Sequence, residues 1–461
     1  MHCFVPLRTY VLGFSLVLGI ATPSAAQESY PPQPHRDDYG DATFALAGDA
    51  IITRKLSVYT EPDFLELRDL IHSASAAFVN AEMLFLDYQE LDIIPASQSG
   101  GTYMRAEPEL ADELVWMGFD LVSTANNHSL DFSFGGLRSN LRWLRESGLV
   151  ASGTGENLAE ARAPKYMETP HGRVALISAS SSFVDFNRAG PQRKDFRGRP
   201  GLNPLRVETT YIVPPDRFRQ LQELRSGLDL GGARSDDELR LFGSTFQRGD
   251  AFSVLTEPNA EDIAEIAASV SDAKRQANWV IVSSHTHQGG GGVADFLREF
   301  AHAVIDAGAD IFVGHGPHVL RGVEIYKGKP IFYSLGDFLM QNETVELQPW
   351  ENYNSVGLGP EALPGEFYVA RNEQSNGSFP ARPGAWEAVV AVPVFHSGVL
   401  ERIELHPITL GYGLGVPQRG RPLLAKGELA ERIIRGLAEL SEPLGTRVTF
   451  EDGIGLVRPQ N

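Results

Sequence analysis

The stretch Gly308–Met340, GADIFVGHGPHVLRGVEIYKGKPIFYSLGDFLM, decides how the rest of the chain is read. Asp310-Ile311-Phe312-Val313 has the continuous apolar character of a strand buried on both faces, and it ends on Gly314. His315 and His318 follow, separated by Gly316-Pro317. Val323–Tyr326 and Pro330–Tyr333 then flank Lys327-Gly328-Lys329, which is the pattern of a hairpin. A strand that stops at glycine and releases two imidazoles onto a short loop has the layout of a metal site. The strand fixes the loop, the glycine permits the bend, and the proline limits the loop's freedom. Neutral imidazole ligates zinc, manganese, iron and nickel. Taken alone, a solvent-facing turn that happens to carry two histidines is the competing reading.

Working outward, the same arrangement recurs. Thr43–Ala47 is an apolar run ending at Gly48-Asp49. Ala77–Glu82 reads as a second buried strand with Asn80 and Glu82 on one face. Phe119–Thr124 leads into Asn126-Asn127-His128-Ser129-Leu130-Asp131, and Trp279–Ser284 into His285-Thr286-His287, Gln288 and Gly289–Gly292. Helical spacing separates these strands over Asp63–Ala76, Glu107–Met117, Gly135–Ser147, Glu261–Arg275 and Val293–Ala307, and Arg173–Ala179 is one more strand. Such alternation predicts an α/β fold, in which the carboxyl ends of the strands meet along one edge. Asp49, Asn80, Glu82, Asn127, His128, His285, His287, His315 and His318 would converge there. Carboxylate, amide and imidazole donors suit one or two divalent ions (Mn, Fe, Zn, Ni or Mg) and not a thiolate site. His128 is placed to move a proton while Asp131 orients its ring.

The 461 residues are 42% hydrophobic and 21% charged, with a formal net charge of −19. That balance excludes a general nucleic-acid binder, because such binding rests on phosphate neutralisation by Lys and Arg. Residues 1–26 read as a cleavable signal peptide: Arg8, an apolar Tyr10–Ile20, then Ser24-Ala25-Ala26, with cleavage after Ala26. The expected location is the periplasm or outside the cell, with no transmembrane segment left after cleavage. The only cysteine, Cys3, lies in that leader, so the remaining chain has neither disulfide nor thiolate ligand. Residues 27–41 read as a Pro-rich linker, 42–345 as the main domain with an insertion at about 185–255, and 346–461 as a loop-rich stretch, hairpin and helix completing it. Within the insertion, FNRAGPQRKDFRGRPGLNPLR is basic in an otherwise acidic chain. Arg193, Lys194, Arg197 and Arg199, with Arg54 after the first strand, are candidate contacts for an anionic substrate. Asp236–Gly249 reads as a helical lid or a connector, residues 341–385 as loop-rich, and Arg447–Phe450 as a last short strand.

GHGPHVLRGVEIYKGKPIFYSLGDF, together with FALAGDAIITR, FVNAE and ANNHSLD, resembles the CapA family of capsule and poly-γ-glutamate synthesis proteins, within the calcineurin-like metallophosphoesterase superfamily. The resemblance implies a four-layer α/β/β/α sandwich with a two-metal centre. It implies Asp49 as the first-metal carboxylate, Glu82 as the bridging acid, Asn127 as the second-metal amide and His128 as the proton donor. His285 and His315 resemble second-metal ligands, and His318 a first-metal ligand. Three departures stand out. Gly48-Asp49-Ala50-Ile51 replaces the superfamily's Asp-x-His, Glu82 or Asn80 replaces the bridging Asp, and His285-Thr286-His287-Gln288-Gly289 replaces His-Trp-Gly-x-Glu, where His287 offers a substitute ligand. Three functions remain open at this stage. The chain is a metal-dependent hydrolase of a phosphoester or of an amide in an anionic polymer, a non-catalytic polymer-binding component of an envelope biosynthesis complex, or a nucleotidase-type phosphoesterase.

Overall fold

The computed structural model describes residues 40–90, 92–96, 101–231, 235–288, 292–374 and 381–459. The expected leader 1–26, the linker up to residue 39 and Gly289–Gly291 lie outside the described residues.

Two sheets position everything that follows. The first is ten-stranded. Its centre is Ala42–Ile51, parallel to Ala76–Ala81, which is parallel to Leu121–Ser123 and then Val150–Ser152. On its other side Ala42–Ile51 pairs antiparallel with Glu387–His396, the first arm of a long hairpin completed by Val399–Thr409. The second sheet is six-stranded, with Gly172–Ser180, Trp279–His285 and Ile311–His315 parallel at its centre. Val323–Tyr326 and Lys329–Phe332 close one edge as a hairpin. Its turn residues Lys327 (φ 49°) and Gly328 (φ 75°) both have positive φ, the combination that matches strand twist in a two-residue loop.

Side chains alternate across each strand, so a strand buried on both faces feeds two cores. Phe44, Leu46, Phe78 and Leu121 of the first sheet meet Leu176, Trp279, Ile281, Ile311 and Val313 of the second. Phe44, Trp279 and Phe395 pack with ring centroids 4.9–6.0 Å apart, mostly edge to face. The alternate residues Ala45, Ala47 and Val79 face outward, against Phe64, Leu67 and Leu114 from the helices Pro62–His72 and Ala111–Met117. Likewise Ile177, Val280, Val282 and Phe312 face Ile266, Phe300 and Val304 from Ala260–Lys274 and Asp295–Asp306. Helix, sheet, sheet and helix are therefore stacked around three apolar seams, as expected of a metallophosphoesterase-like α/β fold.

The insertion differs from its sequence reading. Residues 207–258 build a third, four-stranded sheet, in which Glu238–Leu241 and Ser244–Arg248 are a strand pair and not a lid helix. Leu239 and Leu241 alternate inward to join Val213 and Phe218 in a small core of their own. That alternation at period two was present in the sequence but was masked by the surrounding charges. Residues 341–385 also hold more structure than expected, with helices at Trp350–Ser355 and Pro364–Gln374. The last short strand is a hairpin, Thr449–Glu451 with Ile454–Val457.

The loop leaving the first strand is held by Glu113, a buried carboxylate that accepts from Leu56 N (2.9 Å), Ser57 N (2.7 Å) and Ser57 Oγ (2.9 Å). Glu113→Ala is expected to cost about 1–3 kcal/mol in urea unfolding, since it strands these donors.

Candidate metal centre

The carboxyl ends of the two sheets meet over one cluster of polar side chains. Asp49 lies near the end of the first strand, in register with Asn80 on one neighbour and Asp337 on the other. Gly48 makes this possible: a Cβ there would sit 1.8 Å from Gly336 O, so only glycine lets the two chains approach. In the second sheet His285 and His315 end adjacent strands in register with each other. Gly316, at φ 112°, turns the chain beneath Thr286 and aims its N–H at Asp49 Oδ2, 2.9 Å away.

Three overlapping groups of donors result: Asp49, His285 and His315; Glu82, His287 and His318; and Asp49, His318 and Asp337. In the first, Asp49 Oδ1 lies 3.4 Å from His315 Nδ1 and 3.7 Å from His285 Nδ1, and the two Nδ1 atoms are 3.0 Å apart. Donors about 2.0–2.2 Å from a shared ion stand roughly 2.8–3.1 Å apart in octahedral geometry and roughly 3.3–3.6 Å apart in tetrahedral geometry, so the three separations lie close to what one ion requires. In the second, Glu82 Oε1 is ringed by four Nε2 atoms, of His285 (3.7 Å), His318 (3.8 Å), His128 (4.0 Å) and His287 (4.0 Å). Glu82 is fully buried, yet neither of its carboxylate oxygens has a hydrogen-bond partner, and neither do His285 Nε2 and Asp337 Oδ2. Buried polar atoms are ordinarily satisfied, so orphaned carboxylate and imidazole atoms among these donor groups fit a divalent cation.

The electrostatics show how strongly these donors act on one another. Burial pushes the Glu82 carboxyl well above its usual range, and the charge of Asp49 pushes it further. Burial also raises Asp337, to about 6, against the pull of His318. Burial opposes the charge on Asp49 too, but His315, His285 and His318 outweigh it and hold that carboxyl below the ordinary range. Desolvation, then the charge of His287, lowers His285 and keeps its ring neutral, the form that ligates. Burial works against a charged His318, but Asp337 and Glu82 outweigh it and raise its pKa.

His128 stands at the rim of the cluster on the loop after Leu121–Ser123. Its Nδ1 lies 2.6 Å from Asp131 Oδ2, which also accepts from Met104 N at 2.8 Å. The ring is thereby oriented with Nε2 toward Glu82. Asn126 shapes the loop by donating to Ala81 O and accepting from His128 N, and the Asn127 carbonyl accepts from Asn187 Nδ2 at 3.1 Å. Asn80 donates to Asp49 Oδ1 at 2.7 Å.

Asp49, Asn80, Glu82, His128, Asp131, His285, His287, His315 and His318 thus lie in or beside one cluster, while Asn127 is seen tied through its backbone carbonyl to Asn187. The proposed arginines lie elsewhere in the bonding pattern. The Arg54 guanidinium donates to the carbonyls of Pro417 and Arg419. Arg193 pairs with Asp195, Arg199 donates to the carbonyls of Arg188 and Asp185, and Arg197 is exposed. Sequence reasoning missed Asp337, whose Oδ1 lies 2.8 Å from His318 Nδ1. Its Gly-Asp pair mirrors Gly48-Asp49, and that echo was visible in SLGDF. It also missed Ser283, whose Oγ is 2.6 Å from His315 Nε2 and so leaves Nδ1 to face the cluster.

The profile of the bacterial capsule synthesis protein family PGA_cap matches residues 39–342. The chain belongs to that family. The chain is similar to the uncharacterized protein y4sH of Sinorhizobium fredii, 38% identical over 90% of this chain and 93% of that protein. It is also similar to the PGA biosynthesis protein CapA of Bacillus subtilis, 26% identical over 51% of this chain and 47% of that one. The capsule biosynthesis protein CapA of Bacillus anthracis is 24% identical over 70% of this chain and 66% of its own length. The PGA_cap match spans every donor in the three groups. No helix among the described residues is long and apolar enough to cross a membrane.

Proposed function

We propose that this PGA_cap protein is a divalent-metal-dependent hydrolase of phosphoesters that acts in the synthesis of an anionic capsule polymer outside the cytoplasm. The observation that carries the reading is the buried, unpartnered Glu82 carboxylate encircled by four imidazole nitrogens. Asp49, His285 and His315 would hold one ion, and Glu82, His287 and His318, with Asp337, a second. When bound, a divalent ion supplies positive charge at the attacked group and polarises it as a Lewis acid.

The chain's own groups do the rest. Asn80 fixes the Asp49 carboxylate, Ser283 holds the His315 ring by its Nε2, and Asp337 holds the His318 ring. As a water oxygen bonds to phosphorus and the ester P–O bond breaks, His128, entering the step with protons on both ring nitrogens, delivers its Nε2 proton to the departing oxygen, and the proton shed by the attacking water passes to solvent and so resets the ring. Asp131, bonded to Nδ1, keeps the ring in the orientation for that transfer. Asp131→Asn is expected to lower kcat about 10- to 100-fold with bound metal retained, measured by steady-state kinetics beside metal analysis.

The test of the whole reading is elemental analysis of the purified full chain with a chelator-controlled phosphoester screen. About one or two ions per chain, and hydrolysis lost on chelation and in both His285→Ala and His315→Ala, is the expected result. A metal-free protein, or variants as active as wild type, would overturn it. The second reading, a polymer-binding component, draws on the relatives' capsule names. It predicts anionic-polymer binding that survives chelation and fails when Arg193, Lys194, Arg197 and Arg199 are neutralised.

A further inference from the structure

Between the two sheets' site loops runs a short segment with no role in the donor groups. Ser181–Asn187 leaves the second sheet beside His285, where Ser181 N donates to His285 O (3.0 Å) and Ser182 Oγ accepts from His287 N (2.7 Å). Ser181 Oγ also donates to Gln288 Oε1 at 2.8 Å. Five residues beyond Ser182 it reaches the first sheet's loop, where fully buried Asn187 donates to Asn127 O. The segment is therefore a strap tied at one end to the His285–His287 loop and at the other to the Asn127–His128 loop. Residue 186 sits directly before the second tie, in a 3₁₀ turn over Asp185–Asn187.

That residue is Phe186, and 38% of its surface is exposed. Its ring is stacked on Phe134, with centroids 5.3 Å apart and planes at 23°. Phe134 follows Asp131 by three residues and lies in the first turn of the helix Ser133–Glu146, into which the His128 loop leads. Phe186 directly precedes Asn187, whose amide is bonded to Asn127 O at 3.1 Å, and Asn127 directly precedes His128, which sets the Phe186 backbone beside that loop. An exposed phenylalanine is commonplace. One that is braced by a second ring and hung from a tether to the candidate catalytic loop is a pre-ordered flat apolar surface beside the site. Ordering it in advance removes the entropy cost of forming it when a ligand arrives.

We infer that Phe186, backed by Phe134, is a stacking platform for a flat ring on the non-reacting part of the substrate: a nucleoside, aryl or sugar ring carried on a phosphate ester. The reacting end of this assignment rests on the hydrolase reading; the ring contact does not. Asn187 acts as the positioning residue that sets the platform's height against the Asn127–His128 loop.

The test is calorimetric binding to the full-length, Mn-loaded protein with three probes: AMP, glucose 6-phosphate and glycerol 3-phosphate. In wild type at least one ring-bearing probe should bind more tightly than the ringless one. Phe186→Ala should narrow that Kd ratio roughly 5- to 100-fold, the range for loss of a single ring stack, while Phe186→Trp should restore it. A response confined to AMP assigns an aromatic base, and one confined to glucose 6-phosphate assigns a sugar face. Ring probes that bind no better than glycerol 3-phosphate, or a ratio that Phe186→Ala does not change, would overturn the platform. A thermal melt of each variant separates misfolding from lost stacking, and the solvent-exposed Phe186→Ser provides a second truncation. If ring binding depends on Phe186 but no ester is hydrolysed, the hydrolase reading fails and the platform stands.

Discussion

Asp49→Asn is expected to reduce phosphoester hydrolysis by about a thousandfold or more, equivalent to roughly 4 kcal/mol of barrier. Asp49 is the one residue common to the group with His285 and His315 and to the group with His318 and Asp337. Its Oδ2 accepts from Gly316 N, and its Oδ1 accepts from Asn80 Nδ2. An amide of the same shape keeps most of the packing but removes a negative charge from the centre of three histidines. Bound metal should fall below half of the wild-type content by elemental analysis. The thermal midpoint should fall as well, because an amide offers a single acceptor oxygen to the two donors, Gly316 N and Asn80 Nδ2, and so leaves one of them facing an NH2 group. Full metal content with full activity in Asp49→Asn would remove this residue from the centre.

Gly48→Ala should do the opposite, striking stability first. The added methyl would lie 1.8 Å from Gly336 O and 2.9 Å from Gly336 C, both backbone atoms. No rotamer change relieves a backbone clash, so the Ala42–Ile51 and Asp337–Met340 strands must separate. The hydrogen bond from Asp49 N to Gly336 O, now 3.2 Å, would be lost with them. The expected cost exceeds about 3 kcal/mol in denaturant unfolding, well above the usual overpacking value, with metal affinity falling as well. A control at Gly436, which has open space at its Cβ and lies in the helix Gly427–Ser441, should tolerate alanine or gain about 0.5–1 kcal/mol.

Much of the fold was legible because its strands carry their own evidence. Thr43–Ala47, Ala77–Ala81, Trp279–Ser284 and Ile311–Val313 are continuous apolar runs, and in the structure each feeds two cores through alternate residues. The insertion was less legible. Its strands are short and half-exposed, with Arg and Glu at every second position, and such a pattern is ambiguous between strand and solvated helix. The gathering of Asp49, Glu82, His128, His285 and His315 was foreseeable, since each follows a buried strand and strand ends of one direction meet at one edge. Nothing in that rule selects Asp337, which begins a strand instead of ending one and joins the cluster only because Gly48 and Gly336 touch.

The amino-acid order by itself determined the class of fold, the family and the kinds of donor atom on offer, because apolar periodicity and strand-end chemistry are local properties of a chain. The tertiary structure alone decided that His315 turns its Nδ1 to the cluster, that Asp337 completes it, that the Arg54 guanidinium is bonded to backbone carbonyls, and that Asn187 straps the insertion to the His128 loop. These depend on register between segments far apart in sequence. A shift of one residue turns a strand's side chains to the opposite face, and register is chosen by the packing of both sheets together.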